Sequence, residues 1–89
     1  MNDIDIYEAA IAVYGEKHQE DIAIEECSEL IQAISHKHRG RSHNIPEEIA
    51  DVEIMLEQLK IINGCSIKVE MIKRLKLGNL LQGMRGKGL

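Results

Sequence analysis

The stretch NIPEEIADVEIMLEQLKIING, residues 44–64, constrains the fold most strongly, because it carries a complete helix pattern. Its apolar residues recur at the spacing of one helix face. Asn44 suits an N-cap, and Pro46 suits the first turn, where its missing N–H costs no hydrogen bond. Gly64 suits a C-terminal stop. The pattern predicts a helix that ends at about Ile62.

Three further segments carry helical patterns and no segment carries a strand pattern. We predict a first helix from about Asp3 to Tyr14, a second from about Gln19 to His38, and a fourth from about Ser66 to Leu80. Strand alternation flanked by hairpin turns is absent. The fold class is therefore all-α, and residues 1–89 are expected to form a single domain. The Gly-rich residues 83–89 are expected to be disordered without a partner.

The core must be built without Phe or Trp, since the chain contains neither. A chain of 89 residues buries only about 60–65% of the surface that its unfolded form exposes, so its own core is marginal. Oligomerisation is a usual remedy for such small chains. Ala50, Ile54 and Ile61 also form a second apolar strip on the third helix, which a lone domain would leave uncovered. We therefore expect a homo-oligomer, either a dimer or a tetramer.

The net charge of −4 is distributed unevenly along the chain. Residues 1–34 carry −8 and residues 46–60 carry −4, whereas residues 35–45 carry +3 and residues 61–89 carry +5. Acid-rich second and third helices argue against a helix-turn-helix protein and against nucleic acid as a partner. The sequence shows no signal peptide or membrane span, and its two cysteines have neither disulfide-framework nor zinc spacing. We expect a cytoplasmic, reduced protein with no membrane partner.

Two carboxylate pairs fall on inward-facing sides of the predicted helices. Because an α-helix advances about 100° per residue, Glu48 and Asp51 lie on the side that Met55 continues, and Glu26 and Glu29 share one side of the second helix. The main apolar stripes are expected to lie beside these acids. Those stripes comprise Ile24, Cys27, Leu30, Ile31 and Ile34 on the second helix, and Ile45, Ile49, Val52, Leu56 and Leu59 on the third.

Several inward carboxylates require neutralisation, because burying ionised groups together costs many kcal/mol. No equal number of Lys or Arg shares these sides, which leaves raised pKa values or bound cations. Either pair alone is typical of a solvated helix surface, but both pairs together favour a cation site. Oxygen ligands favour Mg²⁺, with Mn²⁺ as a substitute, and the absence of an ExxH spacing argues against a di-iron bundle.

The motifs EECSE at residues 25–29 and EIAD at residues 48–51 fit the patterns EExxE and ExxD, with eighteen residues between them. In these motifs, and over most of its length, the chain resembles the MazG-like all-α nucleoside triphosphate pyrophosphohydrolases, in particular the small single-domain members of bacteria and their phages. The resemblance is weaker to phosphoribosyl-ATP pyrophosphatases and dimeric dUTPases. It implies a four-helix-type bundle completed by oligomerisation. It also implies cleavage of a nucleoside triphosphate between its α- and β-phosphates, giving a monophosphate and pyrophosphate.

The resemblance also implies roles for individual acids. Glu26, Glu29, Glu48 and Asp51 would be the Mg²⁺ ligands. Glu25 would be an additional acid that binds a second metal or orients the attacking water, so that Glu25, Glu26 and Glu29 form the catalytic set.

Basic residues are candidates for binding the substrate phosphates. Lys73 lies roughly where family members carry a Lys on the last helix, and Lys37 and Arg39 lie in the loop HKHRGRSH. The alternative for Lys73 is a solvated helix face, and for the loop it is a mobile, solvated connection. The competing hypothesis for the whole chain is a catalytically silent helical oligomer that acts as a protein-interaction module.

Overall fold

The computed structural model describes residues 1–89 and contains only α-helices. They are α1 (Asp3–Tyr14), α2 (Glu16–His38), α3 (Ile45–Ile62) and α4 (Ser66–Arg85). The predicted all-α class is confirmed. None of the four helices is both long and apolar enough to cross a membrane.

The start of α1 is fixed by a reciprocal cap. The Asn2 side chain accepts a hydrogen bond from the Asp5 backbone N–H at 2.8 Å, and the Asp5 carboxylate accepts one from the Asn2 N–H at 3.3 Å. A single residue, Gly15, separates α1 from α2. Its φ of +92° lies in a region that favours glycine, so the chain turns there without an additional linker. As a result α2 begins at Glu16, three residues before the predicted Gln19.

The later helix boundaries show where local signals predict well and where they fail. Helix α3 has the predicted bounds, although the Asn44 side chain makes no capping hydrogen bond. Helix α4 begins at Ser66 as predicted but continues to Arg85, five residues beyond Leu80. Residues 83–85, which we expected to be disordered, therefore belong to α4.

Helices α2 and α3 form the centre of the fold as an antiparallel pair. Gln19, near the start of α2, meets Gln58, near the end of α3, whereas Glu29, in the second half of α2, meets Glu48, near the start of α3. Helix α1 packs against both helices. The buried residues lie on α2 and α3 and comprise Gln19, Ala23, Ala33, Val52, Met55 and Gln58.

The prediction of the main apolar packing surface is confirmed only in part, because Val52 of the predicted α3 stripe is buried while several other residues of the two stripes are exposed. The Ile24 and Ile31 side chains of α2 are 70% and 69% exposed, and Ile49 and Leu56 of α3 are also exposed. The acid-bearing side of α2 instead faces α3, because Ala23 and Ala33 on that side have only a Cβ and allow the helices to approach closely. Many large apolar side chains are left exposed on the surface of the chain.

A buried hydrogen bond closes one end of the α2–α3 pair. Gln19 Nε2 donates to Gln58 Oε1 at 2.8 Å, and the Gln58 residue is only 3% exposed. We expect Gln58→Leu to lower the free energy of unfolding by about 1–3 kcal/mol, because it leaves the buried Gln19 amide unpaired. Replacing both Gln19 and Gln58 by Leu should recover much of that loss. Urea unfolding measures both effects, and an unchanged midpoint for the single variant would contradict this expectation.

Only three of the four helices of the predicted bundle pack together. Helix α4 contacts α3 alone, and none of its residues is buried. The radius of gyration is 16.3 Å, whereas a compact chain of this length has about 12 Å. Helix α4 therefore projects from a three-helix body.

Candidate metal centre

Helices α2 and α3 bring three carboxylates together near the loop that connects them. One oxygen from each of Glu26, Glu29 and Glu48 lies within 4.8 Å of the other two. Asp51 lies on the next turn of α3, and its charge acts on both Glu26 and Glu48. All four residues are half-buried. We call Glu26, Glu29, Glu48 and Asp51 the acidic cluster.

Two oxygens of the acidic cluster are buried and have no hydrogen-bond partner. They are Glu26 Oε2 on α2 and Glu48 Oε2 on α3. None of the four ion pairs in the chain includes a residue of the cluster. Buried polar atoms in folded proteins are nearly always satisfied, so these two oxygens require an explanation.

The acidic cluster raises the pKa values of its own members. The pKa of Glu26 is raised to about 7, first because burial penalises the charged form, and then because the charges of Glu29 and Asp51 repel it. The pKa of Glu48 is also raised, by burial first and then by the same two neighbours. Without a cation, the cluster therefore holds protons that ordinary glutamates lose well below neutral pH.

The donor set matches a hard divalent cation. Mg²⁺ and Ca²⁺ are bound by oxygen ligands, and the cluster offers carboxylate oxygens with neither His nor Cys among them. The unpartnered Glu26 and Glu48 oxygens come from different helices, so one ion between them would satisfy both. The residues present therefore fit a hard divalent cation, of which Mg²⁺ is one.

A groove of about 330 Å³ lies beside the acidic cluster, and we call it the acidic groove. Glu29 and Glu48 line it together with residues from the end of α2 and from the following loop. His36 and His43 are the basic side chains in its lining. Sequence reasoning did not select these two histidines. The only available signal was their place in a loop predicted to contact phosphate.

The remaining predicted site residues lie outside the acidic cluster. Glu25 is exposed on α2 and is not among the grouped ligand atoms. Lys37 and Arg39 are exposed at the end of α2, and neither lines the acidic groove. Lys73 is an exposed residue of α4, and its Nζ lies 3.8 Å from Glu70 Oε2. It lines a different groove, which lies between α1, α3 and α4. The structure thus groups three of the four predicted metal ligands, Glu26, Glu29 and Glu48, with Asp51 on the next turn of α3. It does not bring the three predicted phosphate-binding bases to them.

Comparison with protein-family models, with curated proteins and with solved structures finds no match for this chain. A function for it therefore rests on its own motifs and on the geometry of the acidic cluster.

Proposed function

We propose that the chain is a Mg²⁺-dependent nucleoside triphosphate pyrophosphohydrolase that works as a homo-oligomer. One observation is the main support for this proposal. Glu26 and Glu48, at matching positions of the motifs EExxE and ExxD, each hold a buried carboxylate oxygen that has no partner. Such an arrangement is costly when the carboxylates are ionised, because nothing else in the chain compensates their charge, and a bound cation would remove that cost. The sequence resemblance supplies the reaction.

The acidic cluster would hold the metal through Glu26, Glu29, Glu48 and Asp51. When bound, Mg²⁺ neutralises carboxylates, binds phosphate oxygens and lowers the pKa of a coordinated water. In this proposal Glu25 has an outer role, orienting the attacking water at the exposed edge of the cluster, because its side chain is exposed on the same helix.

The triphosphate would lie along the acidic groove beside Glu29 and Glu48. His36 and His43 line that groove and offer ring N–H donors, which phosphate oxygens accept. Lys37 and Arg39 are exposed and lie near His36 in sequence, so their charges would attract the substrate without contacting the cluster. Phosphoryl transfer depends mainly on positioning and charge stabilisation, which such a groove would supply.

The test is pyrophosphate release from a panel of ribonucleoside and deoxyribonucleoside triphosphates, including dUTP. Each substrate is assayed with Mg²⁺, with Mn²⁺ and with EDTA. We expect release with Mg²⁺, some release with Mn²⁺, and none with EDTA. Without a bound cation, the carboxylates of the cluster cannot neutralise the negative charge of the phosphates. The reaction should give pyrophosphate and monophosphate; inorganic phosphate as the first product would contradict cleavage at the α–β bond.

The second candidate is a helical protein-interaction module without catalysis. It is favoured by the many large apolar side chains on the surface of α4, since such residues often mark contact surfaces. Calorimetric titration with Mg²⁺ separates the candidates when it is run beside the assay. A folded chain that binds Mg²⁺ but hydrolyses no triphosphate in the panel would favour the interaction module.

A further inference from the structure

The acidic groove contains two imidazole side chains that lie outside the acidic cluster. His36 belongs to the last turn of α2, and His43 lies in the loop before α3. Neither ring makes a hydrogen bond or an ion pair within the chain. The other two histidines, His18 and His38, do not line the groove. The groove therefore combines carboxylates with imidazole nitrogens that have no partner in the chain.

Helix geometry places His36 on the same side of α2 as Glu29. The two residues are seven positions apart, and seven steps of about 100° return a helix to within about 20° of its starting direction. Ala33 lies between them on this side and has only a Cβ, so it leaves the groove open. The rise between the two Cα atoms is about 10.5 Å, so a ligand midway lies about 5 Å along the axis from each. Both side chains are long enough to reach such a ligand.

The loop returns to the end of α2 and brings His43 into the same groove. The Arg41 N–H donates a hydrogen bond to the His36 carbonyl oxygen at 2.8 Å. The chain then passes through Ser42 and His43, which line the groove, into α3, where Glu48 lines it as well. Because neither imidazole pairs with a carboxylate, these side chains line the groove without closing it.

Two imidazoles and a carboxylate form a ligand set that suits zinc. Zn²⁺ is bound by His nitrogen and by Asp or Glu oxygen, and three protein ligands with one water are a common four-coordinate arrangement. Imidazole nitrogen suits Zn²⁺ and neighbouring transition metals, whereas carboxylate oxygen suits Mg²⁺. The grouped ligand atoms of the acidic cluster include no nitrogen. The groove and the cluster therefore favour different ions.

Glu48 connects the groove with the acidic cluster. It is a member of the cluster and also lines the groove. A carboxylate has two oxygens that can each accept a ligand, and in Glu48 it is Oε2 that is buried without a partner. One ion in the cluster and another in the groove can therefore share this residue.

We propose that the acidic groove binds one transition-metal ion of the Zn²⁺ class through His36, His43 and Glu48. Water would complete the coordination, because the loop side of the groove is exposed at His43. The ion would fix the loop of residues 39–44 to the end of α2. Its binding does not require hydrolysis of a triphosphate, so this proposal can be tested separately from the proposed function.

The first measurement is calorimetric titration of the full chain with Zn²⁺ in excess Mg²⁺. His36→Gln and His43→Gln should each raise the Zn²⁺ dissociation constant at least about tenfold, because a direct ligand contributes no less than the second-shell partners whose loss costs about 10–100-fold. A separate titration should show unchanged Mg²⁺ affinity in both variants. His38→Gln is the matched control, since it removes an exposed imidazole two residues from His36 that does not line the groove. It should bind Zn²⁺ as the wild type does.

The NMR signals of the histidine rings provide a second measurement. Zn²⁺ should shift the signals of His36 and His43 and leave those of His18 and His38 in place, whereas Mg²⁺ should shift none of them strongly. Urea unfolding in EDTA checks the fold of the variants, and their midpoints should equal that of the wild type.

Unchanged Zn²⁺ affinity in both groove variants would overturn the proposal, because zinc would then bind without the two imidazoles. An equal loss of affinity in His38→Gln would also overturn it, since binding would then depend on exposed imidazoles in general.

Discussion

Replacing Glu29 by Gln should reduce Mg²⁺-dependent pyrophosphate release by at least about 100-fold, since loss of even an outer partner of a metal ligand costs about 10–100-fold. The same variant should be more resistant to unfolding than the wild type in EDTA at pH 8. The reason is that the Glu29 charge is the strongest of the neighbouring charges that raise the pKa values of both Glu26 and Glu48. Removing it relieves that repulsion, so the urea midpoint of the metal-free variant should rise above that of the wild type.

The opposite signs of these two effects distinguish a metal site from a structural cluster. A residue that merely supports the fold would lower activity and stability together. The matched control is Glu20→Gln, which removes the same charge from an exposed position on α2 and should change neither quantity appreciably. Activity is measured as pyrophosphate release, and stability as the urea midpoint of metal-free protein. If Glu29→Gln lost stability in EDTA, electrostatic repulsion within the cluster would not be its main feature.

Helix positions and the inward acids could be predicted from the sequence because they depend on local signals. Gly64 ends α3 near the residue where the apolar periodicity stops, and the three-residue spacing of Glu48 and Asp51 fixes their side of that helix. The grouping of Glu26 and Glu29 with Glu48 followed from the same geometry once α2 and α3 were taken as antiparallel neighbours. Local rules were therefore sufficient to predict the helix positions and the grouping of acids in the acidic cluster.

The packing of whole helices could not be predicted in the same way. Hydrophobicity alone favoured the side of α2 that contains Ile24 and Ile31, but close approach through Ala23 and Ala33 determines the side that meets α3. The direction of α4 depends on contacts far apart in sequence, and periodicity does not encode them. The groove that Lys73 lines could not be predicted for this reason, because its position on α4 says nothing about where α4 lies.

The metal-free protein should lose about 1–3 kcal/mol of its free energy of unfolding as the pH rises from about 4.5 to about 7. Glu26 has a pKa of about 7 in the folded chain, against 4.5 as its ordinary value. Below pH 4.5 the group is protonated in both states, so its stabilising contribution is fully present. Between the two values the unfolded chain releases the proton while the folded chain keeps it, which favours unfolding as the pH rises. Above pH 7 the contribution is lost.

Mg²⁺ should reverse this trend, because a cation binds the deprotonated carboxylates and only the folded chain presents them together. At 100 times its dissociation constant, Mg²⁺ would add about 2.7 kcal/mol to the free energy of unfolding near pH 8. Urea unfolding at several pH values, with EDTA or with Mg²⁺, measures both trends. Glu26→Gln should flatten the metal-free slope, whereas Glu20→Gln should keep it. Equal slopes in the wild type and Glu26→Gln would mean that other groups cause the pH dependence, and the acidic cluster would then lack the buried charge that makes it a metal site.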